Sequence, residues 1–386
     1  MRKGWEYKKL GEVCEVVTGT TPKTNIPEYW GKGHFWVTPA ELNDTTVYID
    51  KTERQITDEA LSKTKLRLLP VGTVLLSSRA PIGKVAIANA EMYCNQGFKN
   101  CICSEAIYNK YLFYFLRLKK DYLNSLGRGA TFKEISKSIV ESIKIPLPPK
   151  STQLAIVSEL DKINELIRLK KEQLKDFDNL AQSLFYEMFG DPVENEKGWE
   201  VKKLKDISRE IGDGLHGTPE YSEVDTGCYF INGNNLENGT IVIKENTKMV
   251  SEKTKAKHYI EMDDFTILVS INGTLGKVAF YNGENVILGK SACYIKLEAY
   301  NDKKYIFELL KSDYFKRYAE SECTGTTIRN VSLKSMRNFR CLLPPLPLQR
   351  LFAQRIEQIE REKSEVQKSI QDLETLLASR MQYWFE

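Results

Sequence analysis

The sequence predicts an α/β (α+β) protein in which two globular domains alternate with two long helices, the second half repeating the first. One observation is an apolar residue at alternating steps of three and four within residues 150–190, a pattern that recurs 196 residues later. Another is that short motifs of the globular parts recur at offsets of 193 to 196 residues. A mean spacing of about 3.5 residues is typical of a seam between helices. We therefore expect the helices to pack as an antiparallel coiled coil, with pseudo-two-fold symmetry between the halves.

The two helical seams correspond position by position. Lys170 and Lys363 interrupt the apolar pattern at neighbouring, non-equivalent positions, where a lysine reaches past the seam to solvent or to an acidic partner. Each helix follows a Leu-Pro-Pro stop, and a glutamine, Gln153 or Gln349, lies four residues past the last proline. The predicted seam residues are Ile156, Leu160, Ile163, Ile167, Leu174 and Phe177 in the first helix, and Phe352, Ile356, Ile359, Val366, Ile370 and Leu373 in the second.

The globular parts repeat as well, so the chain is a duplicated unit of one domain and one helix. Gly83 to Ala86 returns as Gly276 to Ala279. The polar stretch 191–198, with Pro192 near its start, is predicted to be the linker that ends the first helix. The predicted parts are a first domain at residues 1–149, a first spacer helix at 150–190, a second domain at 191–346 and a second spacer helix at 347–386.

Each domain reads as a mixture of short strands and helices, because short apolar or alternating runs are punctuated by glycine, asparagine and proline. Two short helices are expected ahead of the seams, at Tyr108 to Leu118 and at Lys304 to Tyr318. The predicted strands are Val13 to Val17, Thr73 to Ser77 and Val85 to Ala88 in the first half, and Phe265 to Ser270, Val278 to Tyr281 and Cys293 to Leu297 in the second.

Composition places the chain among ordinary globular proteins. Its apolar runs fall short of the roughly 18 residues that a membrane-spanning helix needs, and no apolar segment follows the first residues. A cytoplasmic location without membrane contact is therefore expected. The eight cysteines form no C-x-x-C pair, which favours reduced thiols that act as small apolar residues.

Positive charge is concentrated in the first domain. Residues 1–149 hold 22 Lys and Arg against 15 Asp and Glu, whereas residues 191–346 hold 22 against 23. The two helices are close to neutral, as expected of segments that face protein. Any nucleic-acid surface of the second domain must therefore be a local patch.

The chain contains no recognisable catalytic or metal-binding motif. The stretch from Gly273 to Val278 lacks the spacing and the hydroxyl of a phosphate-binding loop, and there is no G-x-S-x-G sequence. Only three histidines occur, at scattered positions. There is also no Asn-Pro-Pro-aromatic or Asp-Pro-Pro-aromatic motif of the kind used for methylation of DNA amino groups. A histidine-based metal or nucleophile site would therefore require residues that only the fold brings together.

Polar side chains beside glycines recur in both halves and suit contacts with DNA bases and phosphates. Ser77-Ser78-Arg79 aligns with Ser270-Ile271-Asn272-Gly273, for example. The alternative is that these residues serve only as turn formers. The candidate DNA-binding residues are Thr20, Thr21, Lys23, Ser77, Ser78, Arg79, Asn95, Gln96, Lys99, Arg128 and Thr131 in the first half, and His216, Thr218, Asn232, Asn234, Asn235, Asn272, Thr274, Lys290, Thr326 and Thr327 in the second.

Arg79 is the most specific of these candidates. It follows an apolar strand and precedes a proline turn, so its long side chain should project outward at a fixed place in the basic domain. We expect it to contact a base edge or a phosphate of DNA. The alternative is a surface ion pair with a carboxylate such as that of Glu91 or Glu105.

Several motifs resemble those of one family, the specificity subunits of type I restriction–modification enzymes. Pro27-Glu28-Tyr29-Trp30-Gly31 with Phe35-Trp36-Val37-Thr38-Pro39 is similar to that family's opening. So are Ile82-Gly83-Lys84-Val85-Ala86, the Leu-Pro-Pro-x-x-x-Gln helix start, and the stretch from Leu184 to Gly190 at the end of the first helix. The resemblance extends over nearly the whole chain.

The resemblance implies that each globular domain is a target recognition domain for one half of a bipartite site in double-stranded DNA, and that the helices set the spacing. It further implies that this chain is non-catalytic and binds no cofactor or metal itself. Its partners would be two modification subunits, which bind S-adenosylmethionine and methylate adenine, and restriction subunits that use ATP and Mg. The near-neutral second domain departs from a uniformly basic pattern, so its DNA affinity is expected to depend on the modification subunit. Two other readings stay open: a coiled-coil protein scaffold, and a self-contained DNA-modifying enzyme of unfamiliar motif.

Overall fold

The computed structural model describes residues 5–79, 81–129, 133–324 and 329–386. The chain forms two compact units, one of Met1–Glu172 with Gln367–Glu386 and one of Gln173–Val366. Each long helix contributes one end to each unit, because both unit boundaries fall inside these helices. The four-part division given by the sequence stays a prediction beside this grouping.

The first unit combines short strands with small helices and parts of both long helices. Its elements are β1 (Glu6–Lys9), α1 (Leu10–Val13), β2 (Cys14–Thr18), β3 (Trp30–Val37), β4 (Tyr48–Ile49), β5 (Gln55–Ile56), α2 (Asp58–Lys63), β6 (Val74–Leu76), β7 (Val85–Ala88), β8 (Tyr93–Cys94), β9 (Lys99–Cys103), α3 (Asn109–Leu118), α4 (Lys120–Ser125), α5 (Lys137–Ser142), β10 (Lys144–Leu147) and the start of α6 (Lys150–Phe189).

The second unit repeats this order after the end of α6. Its elements are β11 (Glu200–Lys203), β12 (Ser208–Asp213), β13 (Tyr229–Ile231), β14 (Leu236–Glu237), β15 (Thr240–Ile241), α7 (Glu252–His258), β16 (Thr266–Ser270), β17 (Val278–Phe280), β18 (Val286–Leu288), β19 (Ala292–Leu297), α8 (Lys303–Lys311), α9 (Asp313–Ser321), α10 (Leu333–Asn338), β20 (Arg340–Leu343) and the start of α11 (Leu346–Phe385).

The same sheet lies at the centre of both units. In the first, the strand order is β2-β9-β6-β7-β4, and in the second it is β12-β19-β16-β17. Every residue of β6 and of β16 is buried, which explains why these strands read as continuous apolar runs. The short edge pairs also match, with β1 on β10 in the first unit and β11 on β20 in the second.

Aromatic residues fill the core beside each sheet. In the first unit, Tyr111 and Phe115 of α3 pack against Phe385 at the end of α11, with ring centroids 5.0 and 5.9 Å away. In the second unit, Phe189 at the end of α6 packs against Tyr305 and Phe352, at 4.9 and 5.2 Å. The ends of the long helices are thus part of the globular cores, and burial of rings of this size supplies much of the apolar stabilisation there.

The long helices pack antiparallel, as predicted. In the first unit, Glu159 of α6 pairs with Arg380 of α11. In the second unit, Asp178 near the other end of α6 accepts a 2.8 Å hydrogen bond from Lys363. The early part of α6 therefore meets the late part of α11, and the reverse holds in the second unit. Nine of the twelve predicted seam residues are at most 8% exposed, and the other three, Leu174, Phe177 and Leu373, are half-buried.

The two repeated glutamines fasten the helix starts. Gln153 is fully buried, accepts a 2.8 Å hydrogen bond from the Tyr108 amide and donates to the carbonyls of Ala106 and Pro148 at 3.0 Å each. Gln349, also buried, accepts from the Asp302 amide at 3.0 Å and donates to the Pro344 carbonyl at 2.8 Å. A buried amide side chain must satisfy its donors and acceptor, so this residue type recurs with the helix start.

Some predicted element bounds were wrong. The single helix expected from Lys304 to Tyr318 is two helices, because Ser312 is extended and its hydroxyl accepts from the Phe315 amide to cap the second one. Val13 ends α1 and does not open the following strand. The polar linker after α6 is tied down: Asn195, in a left-handed conformation with φ 48°, hydrogen-bonds both the amide and the carbonyl of Trp199.

The described ranges also bear on membranes, metals and thiols. None of their helices combines the length and the apolar character that crossing a bilayer requires. No group of three or more His, Cys, Asp or Glu side chains in these ranges is arranged to hold a metal ion. The eight cysteines are free thiols, and six of them are buried.

Candidate nucleic-acid interface

One polar surface lies where the central strands of the first unit end. The loop after β2 passes so close to the segment before β9 that a Cβ atom on Gly19 would lie 2.0 Å from the Asn95 carbonyl oxygen. Glycine is therefore required at this crossing. The second unit repeats the crossing, where a Cβ atom on Gly214 would lie 1.9 Å from the carbonyl oxygen of Leu288. The repeated glycine motifs of the sequence thus mark a close approach of two backbone segments.

Arg79, Glu134 and Lys99 form an ion-pair network on this surface of the first unit. The Nε of Arg79 donates to one oxygen of Glu134 at 3.0 Å, and the Nζ of Lys99 donates to the other at 3.0 Å. Backbone hydrogen bonds hold the carboxylate in place, because Glu134 and Arg128 each donate to the other's carbonyl at 3.0 Å. The network carries one net positive charge and is partly open to solvent, with the Arg79 side chain 45% exposed.

The network keeps Glu134 ionised. Partial burial by itself raises the pKa of this carboxyl, but the hydrogen bonds and charges of Lys99 and Arg79 outweigh burial and lower the pKa overall. The Lys99 side chain is only 6% exposed, so Glu134 is the counter-charge that makes its burial tolerable. Arg79 therefore pairs with a carboxylate in the free chain, and that carboxylate is neither Glu91 nor Glu105.

Three predicted contact residues of the first unit are buried, which corrects their assignment to direct DNA contact. The hydroxyl of Ser77 donates to the Pro81 carbonyl and accepts from the Lys84 amide, so it shapes the turn after β6. Ser78 is fully buried and its hydroxyl accepts from Lys99 at 3.3 Å. As folded, Ser77, Ser78 and Lys99 support the surface from beneath.

The other candidates of the first unit lie at or near the surface. The Thr21 hydroxyl hydrogen-bonds the Gln96 side chain, which joins the loop after β2 to the loop before β9. Thr20 donates its amide to the Cys94 carbonyl at 2.9 Å. Lys23, Gln96 and Arg128 are exposed, Thr20, Thr21 and Asn95 are half-buried, and Thr131 lies outside the described residues.

The second unit has an open cleft at the equivalent place. Its volume is about 560 Å³. His216 and Asp213 lie on one side, where His216 Nε2 and Asp213 Oδ2 are 2.8 Å apart. Asn272, Lys290 and Asn330 line it as well. The structure therefore brings together three predicted residues, His216, Asn272 and Lys290, that are 18 to 74 positions apart in the chain.

The remaining candidates of the second unit divide into two groups. Asn235 is buried and donates to the Val242 carbonyl at 2.9 Å, while its oxygen accepts from the Asn232 amide, so it forms a turn and its assignment to DNA contact is corrected. Thr218, Asn234 and Thr274 are exposed and Asn232 is half-buried, none of them lining the cleft, and Thr326 and Thr327 lie outside the described residues.

The sequence reasoning missed Glu134 and Asn330. These residues occupy the same place in the two units, because Glu134 bridges Arg79 and Arg128 through backbone pairing, and Asn330 bridges Asn272 and Thr324 in the same way. The repeat of Ser136 as Ser332 sets an offset of 196 that pairs them, but their partners Arg79 and Asn272 lie 55 and 58 residues away. No pattern in the local sequence predicts a pairing across that distance.

The sequence of this chain is similar to one family model and to named relatives. The family model described as the type I restriction modification DNA specificity domain matches residues 2–176 and again residues 196–375. The type I restriction enzyme MjaIX specificity subunit of Methanocaldococcus jannaschii is 31% identical, over 97% of this chain and 91% of its own length. The EcoKI specificity subunit of Escherichia coli is 21% identical, over 95% and 84%.

Solved structures share the fold. A chain from a structure of the complex assembly and conformational transition of the type I restriction–modification system aligns with a TM-score of 0.68, at 19% identity, covering 99% of this chain and 97% of that one. The S subunit of the type I system from M. genitalium aligns with a TM-score of 0.52, at 15% identity, covering 99% and 96%. At these identities the structural similarity shows only the fold, which is two domains and two long helices.

Proposed function

We propose, from the premise that this chain belongs to the family of type I restriction–modification DNA specificity subunits, that its two polar surfaces read the two halves of a bipartite DNA site. The observation that carries the proposal is the recurrence of one surface in both units. The same strand ends, the same glycine crossing and the same bridge at Glu134 and Asn330 position different side chains. A fixed scaffold with variable polar groups is what two readers of different short sequences require.

The helices supply the spacing and a surface for partners in this proposal. An α-helix of 40 residues is about 60 Å long. Apolar side chains are exposed along both helices, and such positions favour protein contacts. The exposed leucines are Leu154, Leu166, Leu169 and Leu180 on α6, and Leu351 and Leu376 on α11.

The chain acts within a larger enzyme in this proposal and carries no catalytic centre of its own. Two modification subunits would dock on it, bind S-adenosylmethionine and methylate adenine in the site that the chain selects. Restriction subunits would join this assembly and use ATP and Mg to cleave DNA. Support comes from family membership.

Domain exchange tests the two-reader proposal. Residues 1–149 are replaced by those of another family member, the chain is assembled with modification subunits, and methylated adenines are mapped on genomic DNA. One half of the motif should change completely and the other half should stay. The reciprocal exchange of residues 191–346 is the matched control and should change the other half only. A change in both halves after either exchange would refute separable readers.

A further inference from the structure

Position 79 of the first unit and position 272 of the second are structurally the same place. The serine at the end of each strand makes the same contact: Ser77, just after β6, and Ser270, the last residue of β16, each donate their hydroxyl to a carbonyl four residues later. The next residue then accepts a hydrogen bond from the far segment, Ser78 from Ile135 at 3.0 Å and Ile271 from Val331 at 2.9 Å. Arg79 and Asn272 come next in the chain. Arg79 is bridged to Glu134, the residue before Ile135, and Asn272 is bridged to Asn330, the residue before Val331.

Arg79 is held in one orientation with its hydrogen-bonding end left available. Its Nε donates to Glu134, which is itself fixed by Lys99 and by backbone pairing. A guanidinium has five N–H donors in one plane, and four belong to the two terminal nitrogens. Neither terminal nitrogen donates a hydrogen bond to any residue that the structure describes. The side chain therefore presents a preorganised planar fork at the surface, which reduces the entropy lost on binding.

The shape of this fork matches one base. In the major groove, guanine presents two acceptors, N7 and O6, and an arginine binds both at once. Asn272 lies at the same place in the cleft of the second unit, and an asparagine amide pairs in two-point fashion with N7 and N6 of adenine. Building on the two-reader function proposed above, we infer that Arg79 reads a guanine in the half-site of the first domain, and that Asn272 reads an adenine in the other half-site.

The Asn272 assignment has its own support. The side chain is half-buried at the wall of the cleft, and its amide makes no hydrogen bond within the described ranges. Asn330 takes the bridging position that Glu134 has in the first unit. Cys293, which pairs with Asp213 of β12, takes the place of the buried Lys99, which pairs with Thr18 of β2. Asn272 itself carries no charge, so the cation of this cleft that suits a phosphate is Lys290, and a base edge is the matching target for the amide.

The main alternative is that Arg79 contacts a phosphate. A lysine could replace the arginine in a phosphate contact but not in a two-point contact with guanine. A phosphate accepts either cation as a point charge, whereas two-point recognition of guanine needs the planar fork. The test selects duplexes from a randomised pool with the full chain assembled with its modification subunits. The variants are Arg79→Ala, Arg79→Lys, Asn272→Ala and, as a matched surface control, Arg67→Ala, which removes an exposed arginine paired to Glu15 at 3.1 Å.

Arg79→Ala and Arg79→Lys should both lose the preference for guanine at one position of the first half-site, by about 5- to 140-fold, the range for one bidentate pair. Asn272→Ala should relax one adenine of the other half-site by a similar factor. Arg67→Ala should select the wild-type motif. Urea unfolding midpoints of the variants show that each complex remains folded.

Three results would overturn the assignment. They are an unchanged motif with Arg79→Ala, a uniform loss of affinity that Arg79→Lys restores, or relaxation at a base other than guanine. Failure of the underlying function looks different, since the wild-type complex would then select no bipartite motif at all. An unchanged motif with Asn272→Ala would overturn the adenine assignment alone.

Discussion

The two polar surfaces share a backbone and differ in how their side chains are supported. In the first unit, the ion-pair network consists of a buried lysine, a bridging glutamate and a surface arginine. In the second unit a buried cysteine and two asparagines occupy the matching places, and the cleft is open. The backbone bridges are nearly identical, so the scaffold does not depend on the charges. The side chains of the surface can therefore differ while the strands and glycine crossings that position them stay the same.

The same contrast appears on the scale of whole domains. The first domain has an excess of seven positive charges and the second has one extra negative charge, counted over residues 1–149 and 191–346. Long-range attraction to a polyanion depends on such an excess and is screened by salt. DNA binding by the first domain should therefore depend more steeply on salt than binding by the second.

The features common to both units should be the most sensitive to mutation. Gln153→Ala leaves the Tyr108 amide without its acceptor and removes three hydrogen bonds, so we expect it to cost about 3 kcal/mol. Gln349→Ala removes the bond from the Asp302 amide and the bond to the Pro344 carbonyl, and should cost about 2 kcal/mol. Urea denaturation followed by circular dichroism measures both losses.

Gln367→Ala is the matched control, because Gln367 is an exposed glutamine of the same helix α11. It should change the free energy of unfolding by less than about 0.5 kcal/mol. If the two buried glutamines behaved like the exposed one, the repeated Leu-Pro-Pro-x-x-x-Gln start would have no fastening role.

Substitution at the bridging position should destabilise the first unit more than the second. Glu134→Ala leaves the buried Lys99 without a counter-charge, and we expect a loss of about 1–2 kcal/mol, reduced from the fully buried case because Glu134 is 34% exposed. Asn330→Ala removes no charge partner and should cost less than about 0.5 kcal/mol. Urea unfolding of the full chain at neutral pH measures the difference.

A second substitution sharpens this test. Since Cys293 shows that the fold accepts a neutral side chain at the place of Lys99, Lys99→Met in the Glu134→Ala background should recover most of the lost stability. Equal losses for Glu134→Ala and Asn330→Ala would mean that the network does not stabilise the first unit.

Periodic features of the fold could be predicted from the sequence, and features set by distant contacts could not. The seams follow from a 3.5-residue repeat, and β6 and β16 from short buried runs, because each pattern is complete within a few turns or residues. The break at Ser312 required reading a helix cap inside a helical pattern. The exposure of Arg79 and the burial of Ser78 and Lys99 depend on which strands become neighbours. The role of Glu134 depends on a pairing 55 residues away, which only the folded sheet supplies.

A last difference lies beside the helices, where Tyr114 of the first unit corresponds to Glu308 of the second. The Tyr114 hydroxyl donates to Asp161 at 2.6 Å, and the amide of Asn164 donates to the Tyr114 oxygen at 3.1 Å. The polar tip of this aromatic residue is thus satisfied without a buried charge. Glu308, in contrast, is a carboxyl with a side chain only 12% exposed.

Burial raises the pKa of Glu308, and nearby Glu360 raises it further, while Lys311, Lys304 and Lys363 oppose the shift. A carboxyl whose pKa is higher in the folded state stabilises the fold below its unfolded pKa of about 4.3, and this contribution is lost as the pH rises through the folded pKa. Glu308→Gln removes the penalty of ionisation. The variant should therefore be more stable than the wild type at about pH 8, and the advantage should shrink steadily as the pH falls to about 4.

Urea unfolding of Glu308→Gln and wild type across this pH range measures the effect, and Glu357→Gln on α11, whose side chain is 56% exposed, is the control. Glu357 lies 3.7 Å from one of these lysines, Lys304, but is largely solvated, so its variant should not gain stability at high pH. A gain for Glu308→Gln that is the same at every pH would trace the effect to packing. A loss at high pH would mean that ionised Glu308 is held by its lysines more strongly than burial disfavours it, and the two units would then differ at this place in side-chain shape rather than in charge.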